Sequence, residues 1–253
     1  MPKTLRQWSG SYSPMSGTNR PTVPPDATPA QRFYSRWAAV YDLVARRTPG
    51  INRLRRHAVD KLGLNAGDTV VEMGCGTGAN LGLLREAVGA GGTVIGIDLT
   101  AGTLALARRY VDRQGWTNVY LIRADATVPP LSPTRDIDGI LASFVVGMLE
   151  GPETVVRSWC DSIDADGRVV LFNARRSDRR FAPLVNGPFR LLVHVSTPGP
   201  TRRALHSAVD RLDDRIDRAH SALAEELVEV ERSEHVYGLV QIISGKRPPI
   251  QGS

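Results

Sequence analysis

Cysteine is scarce in this chain of 253 residues: Cys75 and Cys160 are the only two. Two thiols cannot build a disulfide framework or a zinc site, so no metal is expected. The five histidines, His57, His194, His206, His220 and His235, show no ligand spacing either. No apolar run reaches the roughly 18 residues of a membrane span. The longest candidate, Gly139 to Leu149, is far shorter. The opening Met1-Pro2-Lys3-Thr4 has no apolar stretch of the secretory kind. A Gly-x-Ser-x-Gly elbow and a phosphate-loop pattern are both missing. The expectation is a soluble, cytoplasmic, single-domain protein.

Lysine is nearly absent too, at Lys3, Lys61 and Lys246, so the net charge of +6 is carried by arginine. Modest basicity favours an anionic partner without naming one. The runs Arg46, Arg47, Arg53, Arg55, Arg56 and Arg175, Arg176, Arg179, Arg180 have no interleaved aromatics. They read first as solvated faces, with nucleic acid disfavoured as a partner. The sharper alternative is a rim that attracts an anionic substrate or touches a membrane surface.

Six of the seventeen prolines fall in the first thirty residues, which pack little and read as a disordered tail, 1–30. Phe33, Trp37 and Tyr41 then recur every four residues on one helical face. The folded domain is expected over 31–246, with a flexible tail over 247–253. Inside it, short β-branched strands alternate with helices. Strands are expected at Asp68–Met73, Thr93–Asp98, Asn118–Arg123, Ile137–Ser143 and Gly167–Phe172. Helices are expected at Asn80–Val88, Gly102–Gln114, Pro152–Ile163 and Thr201–Glu226. Two late strands, Leu227–Glu231 and Leu239–Ser244, would add an antiparallel edge. This pattern is a Rossmann-like, doubly wound α/β fold: a mostly parallel seven-stranded sheet with helices on both faces.

The strongest motif is Glu72-Met73-Gly74-Cys75-Gly76-Thr77-Gly78-Ala79-Asn80, which follows a strand and opens a helix. Glycines there permit a tight turn and let a ligand approach backbone amides at a helix N-terminus. Gly74-x-Gly76-x-x-Ala79 with Asp98 about 20 residues on also fits a dinucleotide fingerprint. Two features separate the readings. Glu72, an acid at the end of a buried strand, suits a ligand with a cationic centre rather than a pyrophosphate. Asp125, in Ala124-Asp125-Ala126-Thr127, adds a second carboxylate beyond Asp98. Asp98 is placed to accept both hydroxyls of a ribose and Asp125 an adenine amino group. Each Asp also reads, singly, as a helix cap.

With these residues the chain resembles a class I S-adenosylmethionine-dependent methyltransferase. The likeness runs from about Gln31 to Lys246 and rests on Glu72-x-Gly74-x-Gly76-x-Gly78, Gly96-Ile97-Asp98 and Ala124-Asp125-Ala126. Asp164-Ala165-Asp166-Gly167 is similar to the family's turn into strand five. Within the class it most resembles the ubiquinone/menaquinone biosynthesis methyltransferases, through Phe33 to Asp42 and Ala142-Ser143-Phe144. It departs just beyond, where those enzymes carry an Arg-Asn pair and this chain has Val146-Gly147-Met148-Leu149.

The resemblance implies S-adenosyl-L-methionine as cofactor. Gly74, Gly76 and Gly78 would hold its methionine part, Asp98 the ribose and Asp125 the adenine. Tyr41, Glu72, Cys75, Leu99, Ala126 and Ser143 would lie beside them. The acceptor would be a small quinone-like or lipid-like molecule at the tip of strand four, against Phe144, under a roof from Phe181 to Val195 that includes Phe189. No general base is assigned among His194, His206, His235 and Tyr237. The alternatives are an RNA or protein methyltransferase and, from another class, an NAD-binding protein.

Overall fold

A computed structural model describes residues 50–131, 137–180, 182, 186–187 and 202–249. Residues 1–49, Tyr41 among them, Phe181, Phe189 and residues 250–253 lie outside the described residues, whereas Arg247, the first residue of the expected C-terminal tail, donates its N–H to the Gly167 carbonyl at 2.8 Å. Helix α1 (Ile51–Asp60) leads to β1 (Thr69–Met73), α2 (Leu81–Val88), β2 (Thr93–Asp98), α3 (Ala101–Gln114) and β3 (Val119–Arg123). Then come β4 (Gly139–Ser143), α4 (Pro152–Ser162), β5 (Arg168–Ala174), α5 (Arg202–Glu226), β6 (Val228–His235) and β7 (Val240–Lys246).

The strand order is β3-β2-β1-β4-β5-β7-β6. Strands β1 to β5 pair in parallel, while β7 runs antiparallel to β5 and β6 antiparallel to β7. The sheet is buried on both faces, which is why β4 and β5 read as continuous apolar runs. One face packs Val155, Val156 and Trp159 of α4 against Leu212, Ile216 and Leu223 of α5. The other packs Ala58 and Val59 of α1 with Leu81, Leu84, Leu104 and Val111. From β1 the chain winds outward through β2 and β3, then returns to lay β4 on the other side of β1. That reversal opens a crevice at the carboxyl ends of the strands, where such sheets bind ligands.

The expected doubly wound sheet is therefore present, with two differences. Helix α1 is a separate element that the arginine run concealed. Its inward positions are Ile51, Arg55, Ala58 and Val59, so Arg55 is buried rather than part of a solvated face. Strand β6 runs to His235, beyond the expected Glu231, because its ladder to β7 resumes after an irregularity between Val228 and Glu231. This edge carries charge instead of apolar surface, with Lys61–Glu231, Arg168–Glu229 and Arg179–Glu234 pairs.

A cofactor crevice and an apolar cleft side by side

The loop after β1 turns on Gly74, at φ +68°, where a Cβ would come within 2.3 Å of a Val145 methyl. Only glycine satisfies both constraints. Gly76 is the opposite case: at φ +55°, its missing Cβ would meet nothing within 4 Å. The loop therefore has one side sealed on β4's exit and one side open. Gly78 follows at the head of α2.

The loop amides are mostly turned inward, contrary to the expectation that they face a ligand. Cys75 N–H donates to the Ile97 carbonyl at 2.9 Å, and Gly78 N–H to the Cys75 carbonyl at 2.9 Å. Gly76 N–H donates to Asp98 Oδ2 at 2.9 Å. Cys75 contributes only backbone here. Its thiol is packed where a Cβ on Gly96 would meet Sγ at 2.9 Å, and burial pushes its pKa well above the ordinary value. It is no nucleophile.

Asp98, at the tip of β2, also accepts from Thr100 N–H at 2.8 Å and Thr103 Oγ1–H at 2.9 Å. One carboxylate thus ties the glycine loop to the start of α3. Two amides take two of the carboxylate's roughly four acceptor positions, and the Thr103 hydroxyl hydrogen is shared with the Thr100 carbonyl at 2.8 Å, so acceptor capacity is left for a ligand hydroxyl. Leu99, next along, gives its carbonyl to Arg123 Nε at 3.2 Å. Asp125 is exposed and accepts from Thr127 N–H and Thr127 Oγ1–H at 2.9 and 2.8 Å. These are bonds of a local turn rather than of the helix cap read as its alternative, since β4 is the next described element. The Ala126 carbonyl accepts from Trp159 Nε1 at 2.9 Å, which fixes this loop to the core.

Glu72 is the most unusual group. It is 2% exposed, between Leu141 and Gly96 in the sheet. Oε1 accepts from Asn80 Nδ2 at 2.6 Å, whereas Oε2 is buried with no partner. Burial, more than the nearby Asp98, drives its pKa up to about 8, although Asn80 and Arg55 pull the other way. Asn80 is the hub, for its Nδ2 also reaches Ser143 Oγ at 3.0 Å and its Oδ1 accepts from Arg55 at 2.7 Å. Standing at the N-cap of α2, it makes no side-chain cap at all. Sequence reading missed both Asn80 and Arg55. A polar residue closing a glycine loop was the only available signal.

Beside this crevice, at the tips of β4 and β5, lies a small apolar cleft, partly open to solvent. Phe144, Gly147, Met148, Asn173, Ala174, Leu212 and Ile216 line it. Phe144 holds φ 60°, a strained value for a bulky residue, and its ring packs 4.5 Å from that of Phe172 at a 49° tilt. The expected tip residues Ser143 and Phe144 thus sit between the two spaces. His235 lies at the far edge, packed 5.2 Å from His57, and Tyr237 is exposed, so neither lines this cleft.

Residues 70–167 match a family described as the methyltransferase domain. The chain is 31% identical over 160 residues to aklanonic acid methyltransferase DauC of Streptomyces sp. (strain C5), covering 59% of this chain and 71% of that one. The chain belongs to the S-adenosylmethionine-dependent methyltransferases. This methyltransferase is also 34% identical over 119 residues to the 2-phytyl-1,4-naphtoquinone methyltransferase of Thermosynechococcus vestitus, covering 46% of it and 52% of that protein. The match therefore spans about half of the latter's length. A solved methyltransferase from Methanococcus maripaludis shares its fold, with a TM-score of 0.61 at 13% identity over 95% of this chain and all of that one (100%).

Proposed function

We propose that this methyltransferase binds S-adenosylmethionine over the ends of β1 to β3 and transfers its methyl group to a small apolar acceptor in the adjoining cleft. The observation that carries the reading is the buried Glu72 carboxyl, one oxygen of which has no partner, at the head of a glycine turn with open space at Gly76, with Asp98 and Asp125 at the next two strand ends. Arg55 offsets the burial of Glu72 only in part, since the carboxyl's pKa still rises to about 8, so a cationic ligand beside it would stabilise the charged form. The ammonium and sulfonium of S-adenosylmethionine supply that positive charge, and a pyrophosphate does not. In this arrangement Asp98 accepts a ribose hydroxyl, Asp125 faces the adenine, and Gly76 leaves room for the methionine part. Tyr41, Leu99, Ala126 and Ser143 keep their assignment beside the cofactor, and Phe181 and Phe189 theirs above the acceptor.

When bound, the cofactor supplies an electrophilic methyl on a positively charged sulfur. The chain's own part is mainly positional. The strained Phe144 and the loop sealed by Gly74 hold two spaces at a fixed separation, and Leu212 and Ile216 exclude water from the acceptor side. The apolar lining supports a quinone-like or lipid-like acceptor over a polar metabolite. An RNA substrate has less support. Arg157, Arg175, Arg176, Arg179 and Arg218 are each paired with carboxylates rather than forming an open basic field.

The test is incubation of the protein with methyl-labelled S-adenosylmethionine and, separately, a lipid extract, a polar metabolite extract and total RNA. Label should appear in an apolar small molecule identified by mass spectrometry. Label in RNA alone, or in the polar fraction alone, would contradict the reading.

A further inference from the structure

Helix α1 places apolar residues at its inward positions Ile51, Ala58 and Val59, yet Arg55, 5% exposed, stands among them. Burying a guanidinium is costly unless acceptors meet it, and an aliphatic side chain would fill such a place without that cost. Arg55 Nη1 donates to Asn80 Oδ1 at 2.7 Å. An arginine has only donors, so this contact decides which end of the Asn80 amide is the oxygen. The nitrogen end must then face the other way, where Nδ2 donates to Glu72 Oε1 at 2.6 Å and to Ser143 Oγ at 3.0 Å. Both hydrogens of Nδ2 are thereby used. Asn80 stands at the N-cap of α2 but makes no side-chain cap. Its amide instead bridges a cation on α1 and an acid on β1.

We propose that Arg55, acting through Asn80, is a positioning residue of the cofactor site, which orients the Glu72 carboxyl and favours its ionised form beside a cationic ligand. The inference rests on the methyltransferase reading above and extends the site to a helix outside the glycine motif. Glu72 is anchored at Oε1 by Asn80 and has no partner at Oε2, so the amide that Arg55 orients is what fixes the carboxyl. An amide polarised by a cation at its oxygen donates more strongly from its nitrogen, and in this buried setting solvent screens little of the effect. Among the described residues, the charged groups acting on Glu72 are Arg55 from α1 and Asp98 from β2. Cys75, in the loop, lies near both carboxyls, and its thiol stays protonated. Asp98 opposes ionisation of Glu72, so the carboxylate depends on Arg55.

The test follows the Glu72 carboxyl by carbon NMR in the ligand-free protein, where its titration midpoint lies near pH 8. Arg55→Met should raise that midpoint by about half a pH unit or more, at least a threefold change in the ionisation constant. Arg55→Lys, which keeps the charge, should recover at least about half of the change. In an Asn80→Leu background, Arg55→Met should move the midpoint less than it does alone, because the bridge is already gone. At pH 7, below the midpoint, S-adenosylmethionine affinity should fall in Arg55→Met by about the same threefold factor. Binding of 5′-methylthioadenosine, which lacks the ammonium and the sulfonium, should stay within about twofold. Should Arg55→Met fail to fold, Arg55→Gln, neutral yet able to donate to Asn80, carries the same expectation for the midpoint. An unmoved midpoint, or equal weakening of both nucleosides, would make Arg55 a mere clamp between helices and overturn the proposal. Full additivity with Asn80→Leu would overturn the route through Asn80. Failure of wild type to bind S-adenosylmethionine would count against the methyltransferase site itself, while the ligand-free titration still decides the link from Arg55 to Glu72.

Discussion

Asp98→Ala is expected to weaken S-adenosylmethionine binding by at least about tenfold and toward a hundredfold. A hydroxyl-to-carboxylate bond is worth roughly 1.5–3 kcal/mol, and 1.4 kcal/mol is about a factor of ten. The loss is compounded because the same carboxylate holds Gly76 N–H, Thr100 N–H and Thr103 Oγ1. Without it the glycine loop is no longer tied to α3. The fold should survive, but with unfolding free energy lower by about 1–3 kcal/mol, the cost of leaving such donors unsatisfied. Calorimetric titration and urea unfolding read the two effects separately. Unchanged affinity would remove Asp98 from the cofactor site, and an unchanged urea midpoint would remove its anchoring role.

Glu72→Gln should change stability and binding in opposite directions. The Glu72 carboxyl titrates near pH 8 in the folded chain, far above its ordinary value, because it is buried. The folded state therefore holds a proton that the unfolded state has released between about pH 4.5 and 8, and stability contributed by this group falls as pH rises through that window. Glutamine keeps the acceptor for Asn80 and cannot ionise. The variant should melt close to wild type at pH 5 and above it at pH 8. His220, whose pKa is lowered to about 3, works the other way and gains stability up to its ordinary pKa. It is common to both proteins, so the difference between them isolates Glu72. S-adenosylmethionine affinity should rise with pH in wild type and be weaker and flat in the variant, since only a carboxylate answers the cationic ligand. Parallel pH profiles of melting and binding in the two proteins would contradict this role.

Much of the fold is legible because parallel strands buried on both faces leave plain apolar runs, such as Ile140 to Ala142 and Val169 to Phe172. Glycine and acid spacing likewise marks Glu72, Gly74, Gly76 and Asp98. What periodicity hides is the polar residue on an inward face. Arg55 sits among Arg53 and Arg56, and only the packing of α1 against the loop turns it toward Asn80. Asn173 looks like a strand end until α5, some thirty residues later, crosses over it and brings His220 within 3.3 Å. Cys75 shows the converse: it lies within the motif, yet its thiol is turned into the core against Gly96.

The central claim is that the crevice takes a sulfonium nucleoside and not a pyrophosphate dinucleotide. Isothermal titration of the full chain with S-adenosylmethionine, S-adenosylhomocysteine and NAD tests it most directly. Saturable binding of both sulfur nucleosides, with proton release on S-adenosylmethionine binding near pH 7 and no response to NAD, is the expected result. Saturable binding of NAD with no heat from either sulfur nucleoside would contradict it.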